Sequence, residues 1–331
     1  MVKKFLITGG LGFIGKNLIK SIIKIHKNYQ IKIIDNLSNS NIGEFKKLKN
    51  FYIVNINSNI SSNKHGIFLY KGDILNKKLL DNTLKNIDVV IHLAANTGVE
   101  LSILNPIKDL NKNILGTLLL LEYGKKYKIK KFIFSSSNAV AGETNTKISE
   151  NTVTKPVHQY GVSKLSAEAY IYAYYKLYNM NTVILRFSNV YGPGSIKKNN
   201  LIPLFIKKIL NHQTCYINGS GNQTRDFIYI DDLCNAINCC VINKNIAGQI
   251  FQIASGKQIS VNKVTKLITK NIEKLGIYNP KIRYTNSRKG DVAKNYSNID
   301  KAQLLLKWSP KMHLNLGISN TINFFLNEKK I

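Results

Sequence analysis

The first forty residues constrain the fold more than any other stretch. Residues 2–7 (VKKFLI) predict a short buried strand, and TGGLGFIG follows at 8–15. Gly9, Gly12 and Gly15 recur every third residue. Apolar periodicity predicts a helix from about Phe13 to His26 and a second strand from about Gln30 to Ile34. That strand ends at Asp35, twenty residues past Gly15. Strand, glycine turn, helix, strand and acid, in that order, read as a dinucleotide-binding unit. The glycines permit a tight turn and a close approach of backbone to a pyrophosphate, whose charge the helix N-terminus faces. A carboxylate at position 35 accepts bonds from ribose hydroxyls and repels a 2′-phosphate, so NAD is expected rather than NADP.

A second signal supplies chemistry for that cofactor. Tyr160 and Lys164 lie in YGVSK, four residues apart on a predicted helix, so both side chains share a face. A free tyrosine, with a pKa near ~10, is a poor base at neutral pH. A neighbouring ammonium favours the phenolate, so Lys164 is expected to lower the pKa of Tyr160. The pair reads as a general base for a sugar or alcohol hydroxyl, with the dinucleotide as hydride acceptor.

Apolar β-rich runs recur at 66–70, 88–93, 131–135 and 181–186, and helices are expected over about 106–128 and 158–178. Strands alternating with helices predict an α/β Rossmann fold, a doubly wound parallel sheet with a smaller C-terminal α/β substrate-binding lobe. The expected division is 1–186 plus about 226–253 for the NAD-binding domain, and 187–225 plus about 254–331 for the second lobe. Residues 36–65, rich in Ser, Asn and Lys, read as a long connection. A ligand cleft is expected between the lobes, at the carboxyl ends of the strands.

No apolar run is long enough for a membrane span, and a strand starting at residue 2 leaves no room for a cleavable signal peptide. Cys215, Cys234, Cys239 and Cys240 lack metal-ligand spacing, so no metal is expected and free thiols in a reducing cytoplasm are. The net charge of +30 comes from lysines spread along the whole chain. Without a compact basic block interleaved with aromatics, it does not indicate nucleic-acid binding. Only four of the 48 basic residues are arginine: Arg186, Arg225, Arg283 and Arg288. An arginine kept in so lysine-rich a chain suggests a site that needs a planar fork, and Arg225 and Arg288 are candidates for gripping a diphosphate.

The ordered motifs resemble the extended short-chain dehydrogenase/reductase family, and within it the nucleotide-sugar 4-epimerases. The resemblance covers nearly the full length. It is carried by TGGLGFIG, Asp35–Asn36, Gly72–Asp73–Ile74, HLAA at 92–95, Asn113 in NILGT, SSS at 135–137 and YGVSK. RFSNVYGP at 186–193, RDFIYIDD at 225–232 and RKGD at 288–291 complete it. The resemblance implies roles at the matched positions. Gly9, Gly12, Phe13, Ile14, Gly15, Asp35, Asn36, Asp73, Ile74, Leu93, Ala94, Ala95 and Asn113 would line the NAD path, with Asp73 and Ile74 by the adenine. Ser137 would hydrogen-bond the reacting oxygen, Tyr160 would be the acid/base, and Lys164 would bind the nicotinamide ribose and tune Tyr160. Asn189, Arg225, Arg288 and Asp291 would hold the nucleotide-sugar.

Related 4,6-dehydratases place an Asp-Glu pair directly after the catalytic hydroxyl residue, and related decarboxylases usually keep the glutamate. Here Asn138 and Ala139 stand there. An epimerase needs neither acid. The implied reaction is NAD-dependent 4-epimerisation of a UDP-hexose through a 4-keto sugar. The alternatives are a reductase, a dehydratase or a UDP-uronate enzyme of the same family, or a non-enzymatic NAD sensor. In related epimerases the residue four after the aspartate of the RxGD segment borders the sugar. Asn295 stands there and leaves room for a 2-acetamido group, so UDP-N-acetylglucosamine is an expected substrate beside UDP-glucose. Long apolar helices over about 106–128 and 158–178 suggest a homodimer.

Overall fold

The computed structural model describes residues 3–58, 60–277, 280–287 and 292–329. In chain order the first half runs β1 (Lys3–Thr8), α1 (Phe13–Ile25), β2 (Tyr29–Asp35), β3 (Phe51–Val54), β4 (Gly66–Lys71), α2 (Lys77–Thr83) and β5 (Val89–His92). It continues with α3 (Val99–Leu104), α4 (Pro106–Leu110), α5 (Gly116–Lys126), β6 (Lys131–Ser137), α6 (Gln159–Tyr178) and β7 (Thr182–Phe187). The second half holds β8 (Asn189–Tyr191), α7 (Leu201–Leu210), β9 (Cys215–Asn218), β10 (Thr224–Arg225), β11 (Phe227–Tyr229), α8 (Ile230–Ile242) and β12 (Gln249–Ile253). It closes with β13 (Ile259–Ser260), α9 (Val261–Glu273), β14 (Ile282–Thr285), β15 (Lys294–Asn295), α10 (Asp300–Leu306) and α11 (Leu314–Lys329).

The central sheet has eight strands in the order β12-β7-β6-β5-β1-β2-β4-β3. The pairs β1–β2, β1–β5, β2–β4, β3–β4 and β5–β6 run parallel. The chain winds outward from β1 through β2 and β4, then returns to lay β5 on the other side of β1. That reversal between β1 and β5 is the topological switch point at which α/β sheets bind ligands. The strands are buried on both faces, which explains their near-continuous apolar runs. Leu6, Phe68, Val90, Phe132 and Phe134 of the sheet pack with Leu120, Leu121 and Ile171 of the covering helices in one core cluster.

Contacts divide the chain into two compact units. The first holds Met1–Val140, Pro156–Arg186 and Ile237–Phe251, and the second Ala141–Lys155, Phe187–Ala236 and Gln252–Ile331. The second unit has a three-stranded sheet, β13-β10-β15, and two strand pairs, β11–β8 and β14–β9. Two acids, Asp226 and Asp232, organise it from within. Asp226 is fully buried and accepts bonds from the Ser255 amide (2.7 Å), the Ser255 hydroxyl (2.7 Å), the Gly256 amide (2.9 Å) and the Ser297 amide (3.4 Å). Asp232 receives the amides of Lys311 and Met312, and its carbonyl accepts from the Trp308 indole at 3.0 Å.

Two expectations change here. The stretch read as a connection contains β3, whose half-exposed FYIV pairs with β4 at the sheet edge. Tyr52 of β3 stacks on Phe68 at 5.3 Å, which gives this short strand an anchor. The helix expected over about 106–128 is three pieces: α4, a π-helical turn at Asn111–Leu115, and α5. No described helix is long and apolar enough to cross a membrane, and the described residues hold no His/Cys/Asp/Glu group suited to a metal ion.

Candidate active site

β1 delivers the chain to the glycine turn at Thr8. Gly9 has φ +67, and a Cβ there would lie 2.8 Å from the Ala94 amide nitrogen of the neighbouring strand's end. A Cβ on Gly15 would come within 2.5 Å of the Gly9 carbonyl oxygen. Gly12 is the N-cap of α1 and offers no side-chain cap, so the amides of the first turn have no capping side chain. Asp35, buried at the end of β2, holds the turn in place. One carboxylate oxygen accepts from the Leu11 amide at 2.9 Å; the other accepts from the Leu37 amide (2.9 Å) and the Ser40 hydroxyl (2.8 Å). The sequence had suggested only its ribose role; the structure adds that Asp35 clamps the turn.

Asp73 follows β4 and ties Asn36 to it at 3.0 Å. Burial works against its charge, but hydrogen bonds from Lys112, the Leu75 amide and Asn36 outweigh that and hold its pKa below the usual carboxylate value. Lys112, whose ammonium pairs with Asp73, carried no sequence signal. Ile74 beside it is buried.

The ends of β1 and β5 are joined by a directional chain of hydrogen bonds. The Ala94 amide donates to the Thr8 hydroxyl at 3.2 Å, and Thr8 meets His92 Nδ1 at 2.7 Å. His92 Nε2 meets Thr117 at 2.9 Å, and the Thr117 hydroxyl donates to the Asn113 carbonyl at 2.6 Å. Since Thr117 spends its proton on Asn113 and Thr8 accepts from Ala94, His92 carries its proton on Nε2 and accepts at Nδ1. Burial, reinforced by the charge of Lys164, lowers its pKa to about 3, so it is neutral. Leu93 and Ala95 flank this connection and are partly exposed.

Asn113 sits in the π-helical turn with its side chain fully engaged. Its oxygen accepts from the Asn96 amide at 2.8 Å. Its NH2 reaches the Asn96 carbonyl (3.1 Å), Asp109 (3.1 Å) and Ser163 (3.0 Å). Asn113 therefore acts as a strut between the loop after β5 and α6.

Ser137 and Tyr160 come together, and Lys164 lies one turn farther along α6. Ser137 ends β6; the Tyr160 hydroxyl is hydrogen-bonded to it. α6 starts at Gln159, capped by His158, whose Nδ1 accepts from the Gly161 amide at 3.2 Å. The Tyr160 amide donates to the Ser102 hydroxyl at 3.1 Å. Burial pushes Tyr160 up to about 12; the bond from Ser137 opposes this and the charge of Asp109 adds to it. The ammonium of Lys164 donates to the Ser135 carbonyl at 2.8 Å and lies 4.6 Å from the Phe134 ring centre. Burial pulls Lys164 down to about 8, against the opposing charges of Asp109 and Glu168. The expected tuning is thus corrected: the chain's own groups raise the Tyr160 pKa, and Lys164 is committed to a backbone carbonyl. One turn farther, Glu168 forks onto Arg186 with bonds of 2.7, 3.0 and 3.2 Å, and also accepts from Ser136. This buried pair backs the end of β6. The two residues after Ser137, Asn138 and Ala139, form a 3-10 turn whose Ala139 amide donates to Ser137 at 3.2 Å.

In the second unit Asn189 donates to the Asp226 carbonyl through both its amide and its side chain, each at 3.1 Å. Arg225 and Asn295 are register partners where β10 and β15 pair in parallel. Arg225 Nη1 reaches the carbonyls of Thr224 (2.8 Å) and Val292 (2.6 Å). α7 begins without a side-chain cap, because Asn200 turns to the Val190 carbonyl at 3.1 Å instead. Arg288 and Asp291 lie outside the described residues.

The model of the NAD dependent epimerase/dehydratase family matches residues 5–254. The chain belongs to that family. The "Putative UDP-glucose 4-epimerase" of Methanocaldococcus jannaschii is 38% identical over 98% of this chain and 99% of its own length. The dTDP-D-glucose 4,6-dehydratase of Homo sapiens is 32% identical over 98% of this chain and 90% of its own. Among solved structures, the UDP-N-acetylglucosamine 4-epimerase of Methanobrevibacter ruminantium, in complex with UDP-N-acetylmuramic acid, superposes with a TM-score of 0.86. It is 29% identical, covering 98% of this chain and 99% of that one. The glycine turn of this family member fits NAD. Any Cβ at Gly9 or Gly15 would meet backbone, no side chain caps the start of α1, and a buried carboxylate marks the end of β2.

Proposed function

We propose that this enzyme interconverts the 4-epimers of a UDP-linked hexose through a transient 4-keto sugar. The observation that carries this reading is the composition of the assembled site. The Tyr160 hydroxyl is bonded to Ser137 and Lys164 follows one turn along α6, while the two residues after Ser137 are Asn138 and Ala139, without a carboxyl group. Dehydration requires a base and an acid to move protons at carbons 5 and 6. Alanine can do neither, and epimerisation needs one base and a recycled cofactor.

The glycine turn, the start of α1, Asp35 and the Asp73–Ile74 corner would hold NAD, with Lys164 at its nicotinamide ribose. When bound, NAD supplies the hydride acceptor that oxidises carbon 4 and restores it on either face. Tyr160 removes the 4-hydroxyl proton and later returns it. Ser137 keeps the reacting oxygen in hydrogen-bond reach of Tyr160. Asn189, Arg225, Arg288 and Asp291 are proposed nucleotide-sugar contacts, and Asn295 a sugar contact that accommodates a 2-acetamido group. The anchored diphosphate leaves the keto sugar free to turn over before reduction.

The first unit also supports the proposal of a homodimer. Leu101, Leu104 (80% exposed), Ile107 (67% exposed) and Leu110 of α3 and α4 present apolar side chains to solvent, with Tyr170 and Leu177 of α6. The activity is tested by incubating purified protein with UDP-, GDP- and dTDP-sugars without added NAD and identifying products by NMR. A C4 epimer is expected; a 4-keto-6-deoxy product, or none without added reductant, would overturn the reading.

A further inference from the structure

Asp109 stands apart among the groups around Tyr160. It was not singled out by any sequence pattern, yet it is 1% exposed and lies in the last turn of α4, just before the π-helical turn. Its Oδ1 accepts from Asn96 Nδ2 at 3.1 Å and from Asn113 Nδ2 at 3.1 Å. Its Oδ2 is buried without a hydrogen-bonding partner among the described residues. A buried carboxylate oxygen left so is costly, and two apolar or amide groups would fill the same space at less expense. A structural role alone does not account for the charge.

The surroundings point to what the charge does. From Asp109 the contacts run to Asn113, from Asn113 Nδ2 to the Ser163 hydroxyl (3.0 Å), and from that hydroxyl to the Tyr160 carbonyl (3.1 Å). The groups acting on Tyr160 are Ser137 from β6, the His158 ring at the N-cap of α6, and Asp109 from α4, and Lys164 follows one turn on in α6. Glu168, farther along α6, is committed to Arg186 and Ser136, and His92 of β5 is neutral. We propose that Asp109 is a positioning residue of this reaction: it fixes the start of α6 through Asn113 and Ser163, and it is the buried negative charge that faces the Tyr160–Lys164 pair. The same charge favours the phenol at Tyr160 and the ammonium at Lys164. This inference rests on Tyr160 being the proton-transferring residue, so its test is read without turnover.

The test compares phenolate formation by ultraviolet difference titration in the parent protein and Asp109→Asn, each with its own Tyr160→Phe counterpart subtracted. The subtraction isolates Tyr160 among the chain's tyrosines. In the parent, Tyr160 should titrate above the ordinary tyrosine range. In Asp109→Asn, which keeps the acceptor oxygen and loses the charge, it should titrate at lower pH. Ser163→Ala cuts the link to the Tyr160 carbonyl and leaves the charge, so its Tyr160 titration should stay at the parent value. If nucleotide-sugars are turned over, both limbs of the rate profile should move to lower pH in Asp109→Asn, whereas a merely structural defect would lower the plateau and leave the limbs in place. An unchanged Tyr160 titration in folded Asp109→Asn would overturn the proposal. Should that variant fail to fold, a parent Tyr160 titrating at or below the ordinary value would overturn it. Absence of turnover with a displaced titration would instead sink only the epimerase reading.

Discussion

Replacing Arg186 by methionine should destabilise the first unit by about 3–5 kcal/mol. The figure follows from what Glu168 would lose. Both side chains of the pair are 4% exposed, and Glu168 accepts three contacts of 2.7–3.2 Å from the guanidinium. Without Arg186 its carboxylate would keep only the bond from Ser136 and would sit in the interior as an unpaired anion. Exchanging both members should cost much less, because a well-packed neutral pair pays no ionic desolvation. Glu168→Gln with Arg186→Met is therefore expected to recover most of the loss. The assay is urea unfolding followed by far-ultraviolet circular dichroism. The single tryptophan, Trp308, belongs to the second unit, so its fluorescence would report on the wrong part of the chain. A loss below about 1 kcal/mol in the single variant, or a double variant no more stable than the single, would refute the reasoning.

Tyr160→Phe should lower turnover by ~10²–10⁴-fold while nucleotide-sugar binding, measured by calorimetry, persists; wild-type turnover would show that another group moves the proton. NAD should copurify in near-stoichiometric amount and appear in the supernatant after denaturation; clean protein that turns over only with added NADPH would contradict the proposed recycling. Asn295→Tyr should lower catalytic efficiency for UDP-N-acetylglucosamine relative to UDP-glucose, since a ring would occupy the space for the acetamido group. Excluding that group should outweigh one lost amide hydrogen bond, worth roughly 0.5–1.5 kcal/mol; an unchanged efficiency ratio would mean Asn295 does not border the sugar. Light scattering should give a dimer mass at micromolar concentration; a monomer would leave the exposed apolar face of α3, α4 and α6 unexplained.

The parts of this fold that were legible in sequence are those set by neighbouring residues. The glycine turn, its flanking strands and the Tyr160–Lys164 spacing are local patterns, and they place β1, α1, β2 and the start of α6 within a residue or two. What escaped depends on distant partners or on an irregular backbone. A π-helical turn adds a residue to one turn of helix, and apolar periodicity over 106–128 does not resolve it. Asp109 therefore looked like an ordinary helix position, and the strut that Asn113 makes between the loop after β5 and α6 was not foreseen. Asp226 receives amides about 30 and 71 residues away, a pairing that no local pattern carries. The direction of the Tyr160 shift was misjudged for a related reason. Spacing fixes which face two side chains share, but burial and the Asp109 charge come from other elements.

The lysine bias of the chain also makes its arginines interpretable. Where one buried cation suffices, lysine is used. Lys32 of β2 donates to the carbonyls of Thr83 and Lys85 at the end of α2, both at 3.1 Å. Lys131 of β6 does the same for Cys240 of α8 at 2.7 Å. These are point-charge contacts with helix C-termini, where orphan carbonyls and the helix dipole attract any ammonium. Arg186 is different, since Nε and Nη2 engage both oxygens of Glu168. Lysine at that position would restore the charge but not the two-point contact, and its compact, strongly hydrated ammonium would be harder to bury. Arg186→Lys should then recover only a small part of the stability lost in Arg186→Met. A full recovery would mean that the charge alone matters there, and the argument that arginine persists where a planar fork is required would fail at Arg225 as well.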